Sequence, residues 1–178
     1  QAKEEHEVPV DTRIRVVLLC DKIFGEKGCA DEFWSKIGEH IRLRHPREFQ
    51  LDPWEPRKGP VEFLSRCDGP RFLDFLEDIF QVDVHGGTHY QDEENLWVRS
   101  LNEIFDVDDL PYQLTPYHET LGEKVPGEMG RRIFRTFPKV ILRESQVLYA
   151  EAVQPVLTLL QEPGFENANE EYIKAQTH

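Results

Sequence analysis

The sequence lacks the features that mark membrane, secreted and disulfide-rich proteins. It has no apolar run approaching the roughly 18 residues of a membrane span, and its polar N-terminus carries no signal-peptide core. Its three cysteines, Cys20, Cys29 and Cys67, are odd in number and form no C-x-x-C pair. We therefore expect a cytoplasmic protein with reduced, buried thiols and no membrane partner.

The motifs that carry nucleotide and acyl-transfer chemistry are also missing. The glycines are scattered as breakers, and no Walker loop, dinucleotide fingerprint or G-x-S-x-G elbow occurs. We predict no cofactor and no catalytic residue in this chain. One alternative is a metal-dependent nucleic-acid hydrolase centred on His85 and His89, with Asp92 nearby as a further ligand. Because Gly86 and Gly87 separate the two histidines, a polar loop is the commoner meaning of this spacing.

Basic charge is scarce, since 34 acidic residues oppose 21 Lys and Arg and the net charge is -13. Such a chain repels phosphate backbones at long range, so contact with nucleic acid would need a basic face. Two basic segments are the candidate contacts for nucleic acid or another anionic ligand: Lys36, Arg42, Arg44 and Arg47 in the first, and Arg132, Arg135 and Lys139 in the second. The alternative is a solvated helix face and an ordinary strand edge. The acidic clusters, including Asp78, are expected on the wet sides of helices.

Apolar residues at three- and four-residue steps predict about six helices. We place them near residues 12–25, 31–44, 60–66, 68–82, 92–105 and 145–161, with Thr12 and Asp31 as N-caps of the first two. Ile14 and Leu18 are expected on the inner face of the first helix. Residues 1–10 are predicted to form a disordered tail. Four prolines predict a long loop between the second and third helices, and Trp54 should pin that loop to the core.

Two alternating segments predict a β-hairpin at about residues 112–142. Tyr112–Tyr117 is expected to pair with Ile133–Leu142, and Pro138 should lie at an edge or a bulge because it has no amide donor. A two-stranded ribbon is marginal alone, so it should lie against helices. The predicted fold is therefore α+β and mostly helical, with about six helices packed with one β-hairpin in a domain spanning residues 11–162.

The stretch from Leu101 to His178 contains two longer patterns. The first is LNEIFDVDDLPYQLTP, and the second, after a basic strand, is ILRESQVLYAEAVQPVLTLLQEPGFENANEEYIKAQTH. Together they resemble the end of the N-terminal domain in AbiJ-type abortive-infection proteins. There an LN...L...YRF element precedes a hairpin, a helix of the type H...V..PAL.LL and a segment F..A..EF..A..HYR. The resemblance covers about 80 of the 178 residues.

The resemblance implies a bacterial antiphage protein that halts the growth of infected cells by attacking RNA. In this family the N-terminal domain precedes a C-terminal helical module, often a HEPN-type ribonuclease, which the resemblance places beyond His178. The present chain would then be a non-enzymatic sensor or regulatory domain, with its own effector domain and a phage-derived ligand as partners. Residues 163–178 would begin the linker helix to that effector. None of the seven histidines has an Arg at the upstream distance that the HEPN nuclease signature requires.

The last two helical segments supply the predicted interface with the effector. Its candidate residues are Val147, Val153, Leu157, Phe165 and Tyr172. The apolar helix from Val147 to Leu160 also motivates another alternative, an oligomerisation scaffold in which this helix joins copies of the chain into a homo-oligomer.

Overall fold

A computed structural model of the chain describes residues 7–84 and 91–143. The chain divides into two compact units, Gln1–Val140 and Ile141–His178, and nearly all the described residues belong to the first. The architecture is α+β, as predicted, and the described residues form five helices and two small sheets. The predicted helices at 145–161 and 163–178 lie outside the described residues. None of the described helices is both long and apolar enough to cross a bilayer.

The five helices follow the predicted periodicity closely. Their bounds are α1 Val10–Glu26, α2 Ala30–Arg44, α3 Lys58–Arg66, α4 Gly69–Asp78 and α5 Gln91–Val107. The two predicted N-caps are wrong, since Pro9 and Cys29 occupy those positions and neither makes a side-chain capping bond. Thr12 lies inside α1 and donates a hydrogen bond of 2.6 Å to Asp108. Asp68 does cap α4, where its carboxylate accepts a backbone N–H at 2.9 Å.

A buried arginine joins α1 to α3. Arg13 is 5% exposed, and its Nε donates to the Val8 carbonyl at 2.9 Å. Its Nη1 donates to the Leu64 carbonyl at 2.9 Å and also to the Cys67 carbonyl. These two acceptors stand at the C-terminal end of α3, where the helix dipole is negative. The guanidinium carbon lies 5.3 Å from the centre of the Phe72 ring, so one side chain holds the N-terminal segment, α3 and α4 together.

The predicted disordered tail, residues 1–10, extends too far toward α1, because Val8 and Val10 belong to the folded part of the chain. Val8 is 1% exposed and α1 begins at Val10. The reason is that the carbonyl of Val8 is one of the acceptors for the buried guanidinium. Residues 1–6 lie outside the described part of the chain.

The core between the helices is built from aromatic rings. Phe24 of α1 stacks on Phe33 of α2 with 3.9 Å between ring centres, and Trp97 of α5 meets Phe24 edge-on at 4.6 Å. The buried residues of α2 and α4 recur at three- and four-residue steps, in agreement with the periodicity used to predict these helices. The prediction for α1 is partly wrong, because Ile14 and Leu18 are 49% and 56% exposed. Apolar residues surround most of this helix, so its periodicity does not single out one face.

The loop between α2 and α3 is seated by residues other than the one predicted. Trp54 is 92% exposed, so the prediction that it pins the loop is wrong. Phe49 and Leu51 do this instead: a Cβ at Gly59 would come within 2.7 Å of the Phe49 ring, and one at Gly38 within 2.7 Å of Leu51 Cδ2. Glycines at these two positions let the loop lie directly on α2 and α3, and the indole is left outside.

The β-ribbon consists of four short strands in place of the two predicted. The strands are β1 Tyr112–Leu114, β2 His118–Leu121, β3 Ile133–Thr136 and β4 Val140–Leu142. β1 pairs with β4, and β2 pairs antiparallel with β3 so that His118 lies opposite Thr136. The same register, extended by three residues, places Thr115 opposite Lys139. The Lys139 N–H donates to Thr115 Oγ1 at 2.8 Å, and the Thr115 N–H donates to the Lys139 carbonyl at 2.9 Å.

The ribbon is interrupted at the same level on both sides by Pro116 and Pro138. Neither proline has an N–H for the ladder. The predicted hairpin was therefore right in place and in pairing direction, but each predicted strand was too long. The strand His118–Leu121 was missed because its sequence, HETL, is short and polar.

The Arg13 contact generates a stability prediction. Arg13→Met keeps an unbranched side chain but removes every donor, which takes the Arg13 bonds from three carbonyls and leaves only the Cys67 thiol as a weak donor to Leu64. We expect the free energy of unfolding, measured with urea by circular dichroism, to fall by about 2–4 kcal/mol. Arg47→Met, at an exposed position, is the control and should change it by less than about 0.5 kcal/mol. Equal effects of the two substitutions would contradict the role of Arg13.

Candidate functional site

Strands β2 and β3 form a largely exposed arm, which we define as residues 118–136. All four residues of β3 are exposed, and Glu119 is the only residue of β2 that is partly covered. Its apolar side chains face water: Leu121 is 67% exposed, Ile133 50% and Phe134 59%. Exposed apolar side chains grouped on one element are a mark of an interaction surface.

The base of the arm is anchored by a buried tyrosine. Tyr117 is fully buried, and its hydroxyl donates to Glu119 Oε1 at 2.6 Å. Burial, with the neighbouring carboxylate, raises the pKa of this phenol, so it stays protonated and acts as a donor. Its ring lies 5.9 Å from that of Phe137 on the opposite strand, and Arg135 Nε lies 3.6 Å from the same Glu119 oxygen. The anchor therefore fixes both strands where the arm begins.

Three side-chain amides of α5 bind the outer edge of β1 and β2, and we call them the amide ladder. Asn102 accepts from the Leu114 N–H at 2.8 Å and donates to the Leu114 carbonyl at 3.1 Å. Asn95 likewise accepts from the Tyr117 N–H at 2.9 Å and donates to the Tyr117 carbonyl at 3.0 Å. Gln91 accepts from the Glu119 N–H at 3.0 Å. Each asparagine replaces a peptide group of a neighbouring strand, and Gln91 replaces one acceptor, so this edge of the ribbon is closed from Leu114 to the Glu119 N–H.

The opposite edge of the arm, along β3, is open. The Gly122 N–H donates to the Arg132 carbonyl at 2.7 Å, which sets the alternation of bonds in this antiparallel pair. The backbone groups of Ile133 and Arg135 consequently point away from β2. Among the described residues nothing accepts from or donates to those outward groups, so β3 presents a free strand edge.

The basic residues of the second predicted contact lie in β3 or close to either end of it, and each lies beside a carboxylate. Arg132 is 3.5 Å from Glu128, Arg135 is 3.6 Å from Glu119, and Lys139 is 3.5 Å from Glu77. The pairs involve exposed cations at long distances, and such pairs contribute about 0–1 kcal/mol each. The cations are therefore held loosely, and a competing carboxylate can replace their present partners.

The first predicted contact is divided among different roles. Lys36 Nζ lies 3.1 Å from Glu32 and bonds the Asp83 carbonyl, while Arg44 is paired with Asp78. Arg42 Nε is buried and has no hydrogen-bond partner among the described residues, and Arg47 is exposed in the loop after α2. These four side chains are thus not presented together as one free cationic face. Their role in binding an anion stays a prediction.

A buried carboxylate lies where the sequence predicted a solvated one. Asp78 is 2% exposed, so the outward placement is wrong. Its Oδ1 lies 3.0 Å from Arg44 Nη2 and 3.3 Å from His40 Nε2, and its Oδ2 accepts from Arg44 Nη1 at 3.1 Å. Burial raises the pKa of Asp78, and Asp74 adds to this, against the opposing effects of His40 and Arg44. The available signal was the four-residue spacing of Lys36, His40 and Arg44 on one face of α2.

A second apolar surface lies between α1 and α3, as a cavity of about 120 Å³. Its walls are Arg13, Ile14, Val17, Leu18, Arg57, Val61 and Ser65. Both of its cations are engaged, Arg13 by the carbonyls described above and Arg57 by Asp21 at 2.8 Å. The cavity therefore offers apolar contact without a charged group free to orient a ligand.

No group of three or more metal-ligating side chains occurs among residues 7–84 and 91–143. His85 and His89 of the alternative metal site lie outside these residues. So do the predicted interface residues Val147, Val153, Leu157, Phe165 and Tyr172. The three cysteines are free and buried, as predicted, and burial raises the pKa of each thiol. They are protonated at neutral pH and are poor nucleophiles.

Comparison of the chain with protein-family models, curated proteins and solved structures finds no match. The resemblance to AbiJ-type proteins therefore rests on the quoted residues alone.

The amide ladder predicts a large effect for a polar side chain at the surface of α5. Asn102→Ala leaves the N–H and carbonyl of the buried Leu114 without partners. We expect a loss of about 1–3 kcal/mol in the free energy of unfolding and faster hydrogen exchange at the Leu114 amide. Glu103→Ala, at the adjacent exposed position, is the control. A loss no greater than that of the control would show that the ladder contributes nothing.

The buried carboxyl predicts a pH dependence. Because the pKa of Asp78 is raised above its ordinary value of 3.8, the native state binds this proton more tightly than the unfolded chain. Its contribution to stability is present below that ordinary value and is lost as the pH rises through the raised pKa. Urea unfolding between about pH 3 and pH 7 should therefore show wild type losing stability relative to Asp78→Asn as the pH rises. The same trend is expected in a His40→Asn background, which removes titration of the imidazole. A pH-independent difference would contradict this account.

Proposed function

We propose that this chain is a non-catalytic regulatory domain that docks a protein partner through the arm, and that it serves a bacterial abortive-infection system. The observation that carries the proposal is the asymmetry of the ribbon. α5 closes one edge with the amide ladder, while β3 leaves the other edge and both faces exposed.

The energetics of a lone ribbon support a docking role. A two-stranded hairpin is marginally stable in water unless a hydrophobic face or another element supports it. Proteins usually protect a free strand edge by covering it, breaking it or charging it. The arm has charged residues at this edge but also keeps Ile133 and Phe134 exposed beside them. A partner that covered these two side chains would supply the missing support.

The chemistry of the described residues supports a non-catalytic assignment. Burial raises the pKa of Asp78, but this carboxyl is engaged by Arg44 and His40 of α2 and is 2% exposed, so it is not presented to a substrate. The thiols are buried. Strongly shifted groups in this part of the chain thus serve packing and ion pairing, as such groups often do in structural networks.

The resemblance supplies the biological setting of the proposal. In AbiJ-type proteins a domain of this kind precedes an effector module, often a HEPN-type ribonuclease. The arm would then act on that module or on a phage-derived protein, and the attack on RNA would belong to the effector.

The test uses bacteria that carry the complete gene and are challenged with a panel of phages. The double variant Ile133→Ser, Phe134→Ser removes the apolar side chains of the arm without adding charge. We expect wild type to reduce the efficiency of plating of at least one phage, and the double variant to lose most of that protection while accumulating normally. Leu43→Ser, at a position on α2 that is 84% exposed, is the matched control and should protect like wild type.

Two outcomes would overturn the proposal. One is full protection by the double variant. The other is cleavage of RNA in vitro by purified residues 1–178, which would make this chain an enzyme.

A further inference from the structure

We propose that the free edge of β3 binds an extended acidic peptide by strand addition. This inference rests on the proposed function and names the class of partner that the arm takes. The peptide would run beside β3, on the side away from β2, and would convert the two-stranded arm into a three-stranded sheet.

The backbone of β3 is already arranged for such a bond. The outward N–H and carbonyl groups belong to Ile133 and Arg135, which are two residues apart and therefore about 6.8 Å from each other along the strand. This is the repeat that an added strand matches with its own alternate residues. The other edge is partly occupied, because Asn95 binds the N–H and carbonyl of Tyr117 and Gln91 binds the N–H of Glu119.

The side chains along β3 specify the chemistry of the added strand. Alternation places Ile133 and Arg135 on one face of the arm and Arg132 and Phe134 on the other. Each face thus offers one cation and one apolar group. A peptide in which carboxylates alternate with β-branched or aromatic residues would meet both, since opposite charges and apolar pairs on neighbouring strands stabilise a sheet.

The present ion pairs do not prevent this exchange. Arg132 is 65% exposed and lies 3.5 Å from Glu128, and Arg135 is 36% exposed and lies 3.6 Å from Glu119. Arg131, which precedes β3, adds a third cation. These three arginines form a basic cluster on a chain whose net charge is -13. An acidic partner has the charge that complements this cluster.

Charge and backbone pairing argue against the two other occupants. A second copy joined through β3 would place Arg131, Arg132 and Arg135 beside the same three arginines, which is unfavourable. A nucleic acid has no row of backbone amide and carbonyl groups to pair with the outward groups of Ile133 and Arg135, whereas an extended peptide has one.

The experiment begins with selection from a library of random peptides of about twelve residues on the immobilised full chain. We expect enrichment of acidic residues alternating with β-branched or aromatic ones. The most enriched peptide is then synthesised and its Kd is measured by fluorescence anisotropy. N-methylation of its backbone, one residue at a time, should abolish binding at every second position and leave the positions between largely unaffected. This period of two is the signature of a strand edge.

Substitutions in the chain locate the peptide on β3. Ile133→Pro removes an outward N–H that no bond within the ribbon uses, and Ile133→Thr keeps that N–H in a β-branched residue. We expect Kd to rise about tenfold or more for the proline and much less for the threonine. Arg135→Glu should raise Kd about tenfold, and Lys22→Glu, which makes the same charge change at an exposed position of α1, should leave it nearly unchanged. Thermal unfolding confirms that each variant folds.

The inference is overturned by selection of basic peptides or of none, by N-methylation without a period of two, or by equal effects of Arg135→Glu and Lys22→Glu. It is also overturned if the arm binds a DNA or RNA duplex, or joins two copies of the chain, in place of the peptide. These failures are distinct from failure of the proposed function. Loss of phage protection in the arm variants without an acidic peptide ligand would leave the regulatory role standing, and peptide binding with unaltered protection would do the reverse.

Discussion

Burying the charge of Arg13 is costly unless its donors find acceptors, and Nε and Nη1 find theirs in main-chain carbonyls. Two of them terminate α3 and one belongs to Val8, ahead of α1. The direction of α3, the path of the N-terminal segment and the position of α1 are therefore determined together. The placement of α3 in turn decides where the loop after α2 can lie, through the close approach of Phe49 to Gly59.

The same requirement, that buried backbone groups be paired, explains how the ribbon is attached. β1 and β2 have no neighbouring strand on their outer side, and Asn95 and Asn102 supply one-residue substitutes for it from α5. These two asparagines are seven residues apart, and Gln91 lies four residues before Asn95, so all three fall on one face of the helix. A helix with an amide-bearing face can in this way complete a sheet on one side and leave the other side available.

Periodicity was enough to predict the helices, because their apolar faces are local patterns. It was not enough for Asp78, whose burial depends on Arg44 and His40, 34 or more residues earlier in the chain. It also failed for Trp54, because the sequence does not show that Gly38 and Gly59 allow Leu51 and Phe49 to pack against α2 and α3. Arg132, Arg135 and Lys139 were singled out as a basic segment, and their contact with an anionic ligand stays a prediction. That the edge is open could not be predicted, since the closed edge depends on pairing between α5 and strands up to 28 residues away.

The paired prolines of the ribbon have a mechanical consequence. At Pro116 and Pro138 the ladder of backbone bonds between the strands is broken on both sides, and the bonds between Thr115 and Lys139 are the link beside the gap. A force applied to the tip of the arm cannot travel down an unbroken sheet into the core. It is transferred sideways, through Asn95 and Gln91, to α5. Side-chain contacts with α5 and with the buried Tyr117 therefore connect the arm to the helices, in place of a continuous sheet.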